Sequence, residues 1–98
     1  MKEIRETETF RTWFASLRDT RAKTRIDVRI KRLALGNPGD VKPVGGGISE
    51  MRIDYGSGYR VYFKDTGKEI ILLLCGGNKR TQTGDIENAK ELLQDLEV

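Results

Sequence analysis

Four basic residues in two pairs are the side chains of this chain best suited to chemistry on a phosphate group. Arg52 and Arg60 lie on either side of a glycine-rich turn, and Lys79 and Arg80 follow a long apolar run. The planar fork of an arginine matches two phosphate oxygens, and a lysine adds a compact positive charge. Such groups stabilise the charge that develops at phosphorus during displacement. The two pairs therefore indicate a phosphate-binding surface.

RNA is a phosphate substrate that suits such a surface, because its own 2′-hydroxyl supplies the nucleophile. A metal-independent ribonuclease then needs cations around the phosphate, a proton acceptor and a proton donor. The chain contains no histidine, which excludes a histidine base and a histidine-bound zinc ion. The alternatives for proton transfer remain open at this point: Glu50, Asp54, Tyr62, Lys79 and Asp85.

The segment 49–64 positions the first pair, and its alternating pattern predicts a β-hairpin with one apolar face and one charged face. A loop of Gly56–Gly58 supplies the glycines that a tight turn needs. An ordinary solvated face with cross-strand ion pairs is the alternative interpretation of the charged face. With this loop the expected opposite pairs are Tyr55–Tyr59, Ile53–Val61 and Met51–Phe63 on the apolar face, and Asp54–Arg60, Arg52–Tyr62 and Glu50–Lys64 on the charged face.

The flanking segments predict one α+β domain over residues 1–98. Apolar residues at helical spacing indicate a first helix capped by Thr7 or Thr9 and a second capped by Asp19 or Thr20. A third helix is expected from about Thr83 or Asp85, with Asp85 as its N-cap. Residues 36–47 are expected to form a loop, residues 69–75 a central strand, and the stretch around Ile4 an edge strand. Trp13 and Cys75 are expected in the core.

The charge distribution predicts a polyanionic partner. Residues 1–35 carry a net charge of +5 and residues 81–98 a net charge of −4, within a total of +3. The basic side chains of the second helix indicate either a solvated face, the preferred interpretation, or contact with an RNA backbone. A single cysteine excludes an internal disulfide, and we expect a cytoplasmic protein without a membrane segment.

The sequence resembles the RelE/ParE superfamily of toxins from type II toxin–antitoxin modules, and within it the HigB-like addiction module killer proteins. The resemblance implies an N-terminal helical hairpin packed on a small antiparallel sheet, followed by a C-terminal helix. It implies an mRNA endoribonuclease that acts on the translating ribosome without a cofactor or metal, and a helix-turn-helix antitoxin as partner. The matching motifs are Phe10…Trp13-Phe14…Leu17, residues 36–42, residues 50–63 and residues 72–82, ending in Asp85-Ile86 and Ala89.

The same resemblance implies roles for individual residues. Arg60 matches the phosphate-facing arginine of the family, Arg52 matches the arginine of its Glu-Leu-Arg step, and Lys79 and Arg80 match its basic pair. We expect Glu50 to act as the base in this catalytic set. The expected RNA-binding residues are Tyr62, Gln82 and Lys64. Two alternatives to the ribonuclease remain: a non-enzymatic gyrase inhibitor, as in ParE relatives, and an inactive module that only binds an antitoxin.

Overall fold

The computed structural model describes residues 1–97, which form one five-stranded sheet, three α-helices and a short 3-10 turn. The strands are β1 (Glu3–Glu6), β2 (Val41–Gly45), β3 (Ile48–Ile53), β4 (Tyr59–Asp65) and β5 (Ile70–Gly77). The helices are α1 (Glu8–Ser16), α2 (Thr20–Ala34) and α3 (Gln82–Glu97), and the 3-10 turn (Lys79–Thr81) directly precedes α3.

The order of strands in the sheet is β1-β5-β4-β3-β2, with β1 parallel to β5 and the other neighbours antiparallel. The strand expected around Ile4 is confirmed. The expectation of an antiparallel sheet that follows an N-terminal helical hairpin is wrong in two respects, because the chain begins with a strand and the sheet is mixed. Ile4 is flanked by polar residues, so the sequence of β1 does not indicate which strand it pairs with. Its partner is β5, which is remote in sequence: Glu3 pairs with Ile70.

Strand β2 was not predicted, since residues 36–47 were assigned to a loop. It pairs with β3 as the opposite edge of the sheet, and its register is irregular between Pro43 and Gly45. A proline has no N–H to donate, and glycine weakens a strand, so this composition is typical of a loop. An edge strand with a bulge tolerates both residues, because only one side of it is paired.

The β3–β4 hairpin pairs two residues away from the predicted register. Arg52 lies opposite Arg60 and Glu50 lies opposite Tyr62, because the connection takes residues 54–58. In this connection the Gly58 N–H donates to the Tyr55 carbonyl at 3.1 Å. A shift of two residues keeps every side chain on its face, so the two-faced pattern is confirmed, although alternation cannot distinguish the two registers. The predicted pairs Tyr55–Tyr59, Ile53–Val61, Met51–Phe63, Asp54–Arg60, Arg52–Tyr62 and Glu50–Lys64 are wrong.

Two apolar clusters lie on opposite sides of the sheet. The first lies under α1 and α2, includes Met51, Ile53, Val61 and Phe63, and has the half-buried Trp13 packed against it. The second lies under α3 and contains Ile48, Tyr62, Leu74, Cys75, Ala89 and Leu93. The expected core positions of Trp13 and Cys75 are therefore confirmed, and burial raises the pKa of the Cys75 thiol to about 12.

Side-chain caps fix where the helices begin. Thr7 accepts from the Phe10 N–H at 3.0 Å, and Asp19 accepts from the first turn of α2, as two of the sequence alternatives state. The expectation that Asp85 caps the third helix is wrong. Asn78 caps the 3-10 turn through the Arg80 and Thr81 amides, so that α3 starts at Gln82 and Asp85 lies in its first turn.

Candidate nucleic-acid interface

An open cleft of about 340 Å³ lies where the β3–β4 connection meets the 3-10 turn. Three of the predicted catalytic cations, Arg52, Arg60 and Lys79, line it together. Lys79 is exposed, and its Cβ lies 3.5 Å from the position that a Cβ of Gly58 would take. A Cβ at residue 58 would therefore be in van der Waals contact with Lys79, and the positive φ of 77° at this position favours glycine. The other lining residues are Asp40, Ile53, Asp54 and Gly58.

Arg52 is held at one wall of the cleft by a carboxylate of the preceding loop. Its Nη2 and Nε donate to Asp40 Oδ1 at 2.7 and 3.2 Å. The hydrogen bond from Arg52 holds the pKa of the Asp40 carboxyl below its usual value, so Asp40 stays ionised at neutral pH. The Arg52 guanidinium is thus oriented within the cleft, although one edge of it is already in use.

Arg60 lies deeper in the cleft, and its side chain is only 11% exposed. Its Nη1 donates to Glu50 Oε1 at 3.3 Å, and Glu50 is completely buried. The buried Nε of Arg60 has no hydrogen-bond partner among the described residues. Buried donors of charged groups are usually satisfied, so this unpaired nitrogen is an exception within the buried cluster.

Glu50 is the centre of a buried polar cluster rather than a surface carboxylate. Its Oε2 accepts from the Tyr62 hydroxyl at 3.3 Å and from Gln82 Nε2 at 2.7 Å. Tyr62 is also fully buried, and burial together with the nearby Glu50 raises the pKa of its phenol well above the usual value. Tyr62 is therefore neutral at physiological pH. An ordinary solvated face was one interpretation of the charged side of the hairpin, but α3 covers part of this side.

The glycine at the end of β5 makes room for another acidic side chain. A Cβ at Gly77 would lie 1.8 Å from Asp85 Oδ2, and the Asp85 carboxylate accepts a hydrogen bond from the Thr81 hydroxyl. Because residue 77 has no side chain, the first turn of α3 can approach β5 closely. This approach fixes the 3-10 turn that carries Lys79 and Arg80.

The remaining predicted residues occupy different positions. Arg80 is exposed on the same turn as Lys79 but does not line the cleft. Gln82 is half-buried with its amide directed at Glu50. Lys64 lies toward the other end of β4, where its Nζ lies 3.4 Å from the position that a Cβ of Gly47 would take. The structure therefore brings together Arg52, Arg60, Lys79, Glu50, Tyr62 and Gln82, and leaves Lys64 apart.

The basic face of α2 is not uniformly solvated. Arg29 donates from Nη1 to the Arg52 carbonyl at 2.6 Å and from Nη2 to the Pro38 carbonyl at 3.1 Å, which ties the loop before β2 to β3. Burial lowers the pKa of this guanidinium. A second groove of about 270 Å³ adjoins the cleft, since the two share Ile53 and Asp54. Its other lining residues are Thr24, Arg25, Val28, Arg29 and Arg32.

Sequence reasoning missed three residues that build the site. Asp40 orients Arg52, Arg29 holds the loop that carries Asp40, and Gly77 admits Asp85. The only available signal was indirect: residues 36–42 match a motif of the RelE-like toxins, and the motif includes Asp40. A single sequence shows no partner for Arg29, since its contacts are backbone carbonyls.

Residues 1–97 contain no group of three or more histidine, cysteine, aspartate or glutamate side chains arranged to hold a metal ion. None of the helices formed by these residues is long and apolar enough to cross a membrane.

The fold is similar to that of a chain in the crystal structure of the toxin–antitoxin complex RelBE2 from Mycobacterium tuberculosis. The two share 19% sequence identity with a TM-score of 0.54, and the match covers 80% of this chain and 98% of that one. At this identity the likeness shows the fold, as the resemblance to RelE-like toxins leads one to expect.

No model of a known protein family matches the sequence. An uncharacterized protein of Haemophilus influenzae is 52% identical to the chain over 94 residues, which is 96% of this chain and 95% of that protein. Identity of this extent over nearly the full length of both chains shows common descent. The chain therefore belongs to the same family as this Haemophilus influenzae protein.

Proposed function

We propose that the protein is the toxin of a type II toxin–antitoxin module and cleaves messenger RNA in the cytoplasm, on the translating ribosome, without a metal ion. The observation that carries this proposal is the convergence of Arg52, Arg60 and Lys79 on one open cleft. The fold that the chain shares with a chain of a toxin–antitoxin complex supports it.

The cations of the cleft fit the chemistry of RNA cleavage by the 2′-hydroxyl. When this oxygen attacks phosphorus, negative charge builds on the phosphate oxygens, and the groups that stabilise it must already be in place. Arg60 is held by Glu50, Arg52 is held by Asp40, and Lys79 starts a turn capped by Asn78. Groups held in this way do not have to reorganise during the reaction.

Asp54 is the carboxylate that the geometry favours as proton acceptor. It is exposed and lines the same cleft as Arg60 and Lys79. Glu50, the expected base, is completely buried and bonded to three neighbours, and Tyr62 is neutral and buried. A general base must reach the proton that it removes, so exposure within the cleft decides in favour of Asp54.

The groove beside α2 offers a path for the RNA strand on one side of the scissile phosphate. Arg25 and Arg32 line this groove, which continues from the cleft past Asp54. Phosphates bound there would release counterions, and affinity would fall steeply with salt. Arg80 is exposed on the turn that carries Lys79, where it would contact the backbone of the same strand. A helix-turn-helix antitoxin would neutralise the toxin by covering this basic surface.

Cleavage of a defined mRNA on purified translating ribosomes tests the proposal, with Lys79→Ala as the critical variant. Lys79 is exposed, so its truncation should leave the fold intact, while the cleavage rate should fall about 100-fold through the loss of a cation at the developing charge. Lys68→Ala is the matched control: it removes an exposed lysine from the β4–β5 turn, away from the cleft, and should cleave like the wild type.

Two outcomes would contradict this function. If the wild-type protein leaves the mRNA intact but inhibits supercoiling by gyrase, the protein acts as a non-enzymatic inhibitor. If Lys79→Ala and Lys68→Ala cleave equally well, the cleft is not the site of the reaction.

A further inference from the structure

We propose that Glu50 is a positioning residue that holds the two halves of the cationic site in register, and that it takes no part in proton transfer. This inference rests on the proposed function, since the cations that Glu50 positions are those assigned to the RNA phosphate. It departs from the expectation, drawn from the sequence, that Glu50 acts as the base.

Burial is the first argument. Glu50 has no exposed surface, and the Arg60 guanidinium covers one of its oxygens while Tyr62 and Gln82 cover the other. Both oxygens of this carboxylate are occupied by protein donors, and neither is exposed to solvent. A substrate hydroxyl would have to displace a bound partner before it reached either oxygen.

Connectivity is the second argument. The partners of Glu50 come from two separate elements: Arg60 and Tyr62 from β4, and Gln82 from the first residue of α3. Gln82 directly follows the turn that carries Lys79 and Arg80. The 2.7 Å bond from Gln82 to Glu50 therefore ties that turn to the strand that carries Arg52. One buried anion thus sets the distance between the hairpin cations and the turn cations.

The unmatched donor of Arg60 agrees with this assignment. Its contact with Glu50 is long, at 3.3 Å, and its Nε lacks a partner among the described residues. Glu50 therefore orients the guanidinium through one long contact and does not saturate its donors. A carboxylate that served only to neutralise Arg60 would form two short parallel hydrogen bonds with its guanidinium.

The test combines NMR spectroscopy with cleavage kinetics on Glu50→Gln, which keeps the shape of the side chain and removes its charge. We expect the backbone amide signals of Lys79 and Arg80 to shift and the Arg60 Nε proton to exchange about tenfold faster with solvent. The cleavage rate per folded molecule should fall about tenfold or more through misplacement, with the pH optimum unchanged. Affinity for a 2′-deoxy substrate analogue should change by less than about twofold, since exposed cations still attract the strand.

Two further variants isolate the connection. Gln82→Ala removes the bond to the turn and keeps the Glu50–Arg60 pair, so the Lys79 and Arg80 signals should shift while Arg60 Nε exchange stays at the wild-type rate. Glu87→Gln, an exposed carboxylate on α3, is the matched control and should change none of these quantities.

Three results would overturn the inference. Loss of the acidic limb of the pH–rate profile in Glu50→Gln would make Glu50 the base. Unchanged amide signals of Lys79 and Arg80 would show that Glu50 does not hold the turn in place. An unchanged cleavage rate per folded molecule would show that Glu50 has only a structural role. If the wild-type protein cleaves no RNA, the proposed function fails, while the NMR measurements still decide whether Glu50 holds the two halves together.

Discussion

The two faces of the β3–β4 pair are built from alternating residues of the same two strands, yet they are buried in different ways. The face toward α1 and α2 is apolar and closed, with Met51, Val61 and Phe63 almost fully buried. The face toward α3 is closed over Glu50 and Tyr62 and opens into a cleft at Arg52 and Arg60. The first face contributes hydrophobic stabilisation. The second buries an ion pair, which contributes little to stability and is retained for what it positions.

Truncation on the apolar face is expected to have the largest effect on stability. Phe63→Ala should lower the free energy of unfolding by about 3–5 kcal/mol, since Phe63 is only 3% exposed and its loss leaves a cavity under the helices. Urea denaturation measures this loss, and Phe63→Leu should cost much less. Cleavage per folded molecule should be unchanged in both variants. A large loss of activity in the folded fraction would show that the two faces are not independent.

Replacing the buried ion pair with apolar residues should have the opposite result. In the double variant Glu50→Leu/Arg60→Met, the free energy of unfolding should stay within about 2 kcal/mol of the wild type, while cleavage should fall at least about 100-fold. Glu50→Leu alone should lose about 3 kcal/mol or more, because Arg60 is left buried without its partner. If the double variant is less stable than either single variant, the pair stabilises the fold in its own right.

The smallest effect is expected from Tyr62→Phe, which removes one hydroxyl from the buried cluster. At pH 7 the free energy of unfolding should fall by about 1 kcal/mol, the usual net contribution of one hydrogen bond. The pKa of Tyr62 is raised in the folded state, so its contribution is complete below about pH 10, the ordinary value, and is lost as the pH rises further.

Urea denaturation at pH 7 to 11 checks this dependence. The difference between the wild type and Tyr62→Phe should shrink above about pH 10, because only the wild type loses the contribution of the phenol. Tyr59→Phe, on the apolar face of the same strand, should retain the alkaline decline of the wild type. A constant difference at every pH would contradict the assignment.

Alternation and capping carried most of what the sequence could predict. The period of two in residues 49–64 assigned each side chain to a face, and the two alternatives for each of the first two helix starts included the observed caps, Thr7 and Asp19. The sequence could not predict the register of the β3–β4 hairpin, because a shift of two residues preserves both faces. Only the conformation of the connection decides between the two registers. Strand β2 was missed because Pro43 and Gly45 are typical of a loop, and an edge strand tolerates them since it is paired on one side only.

For the site, residue types predicted the cations but not their surroundings. Arg52, Arg60 and Lys79 were expected together, and they line one cleft. The burial of Glu50 could not be read from the strand pattern, since it depends on Gln82 at the start of a helix that is remote in sequence. Asp40 acts through the Arg52 side chain of β3 and Arg29 acts through backbone carbonyls, and neither kind of contact leaves a periodic signal.

The pairing of β1 with β5 affects the order in which the fold can form during synthesis. Glu3 of β1 pairs with Ile70 of β5, so β1 can join the sheet only after β5 has been synthesised. Such long-range pairing forms late because chain entropy must be lost before the contact stabilises the fold. The cleft is completed later still, since Lys79 and Gln82 follow β5 in the chain. A nascent chain thus carries no assembled cationic site until Gln82 has been made, even though Arg52 and Arg60 are synthesised earlier.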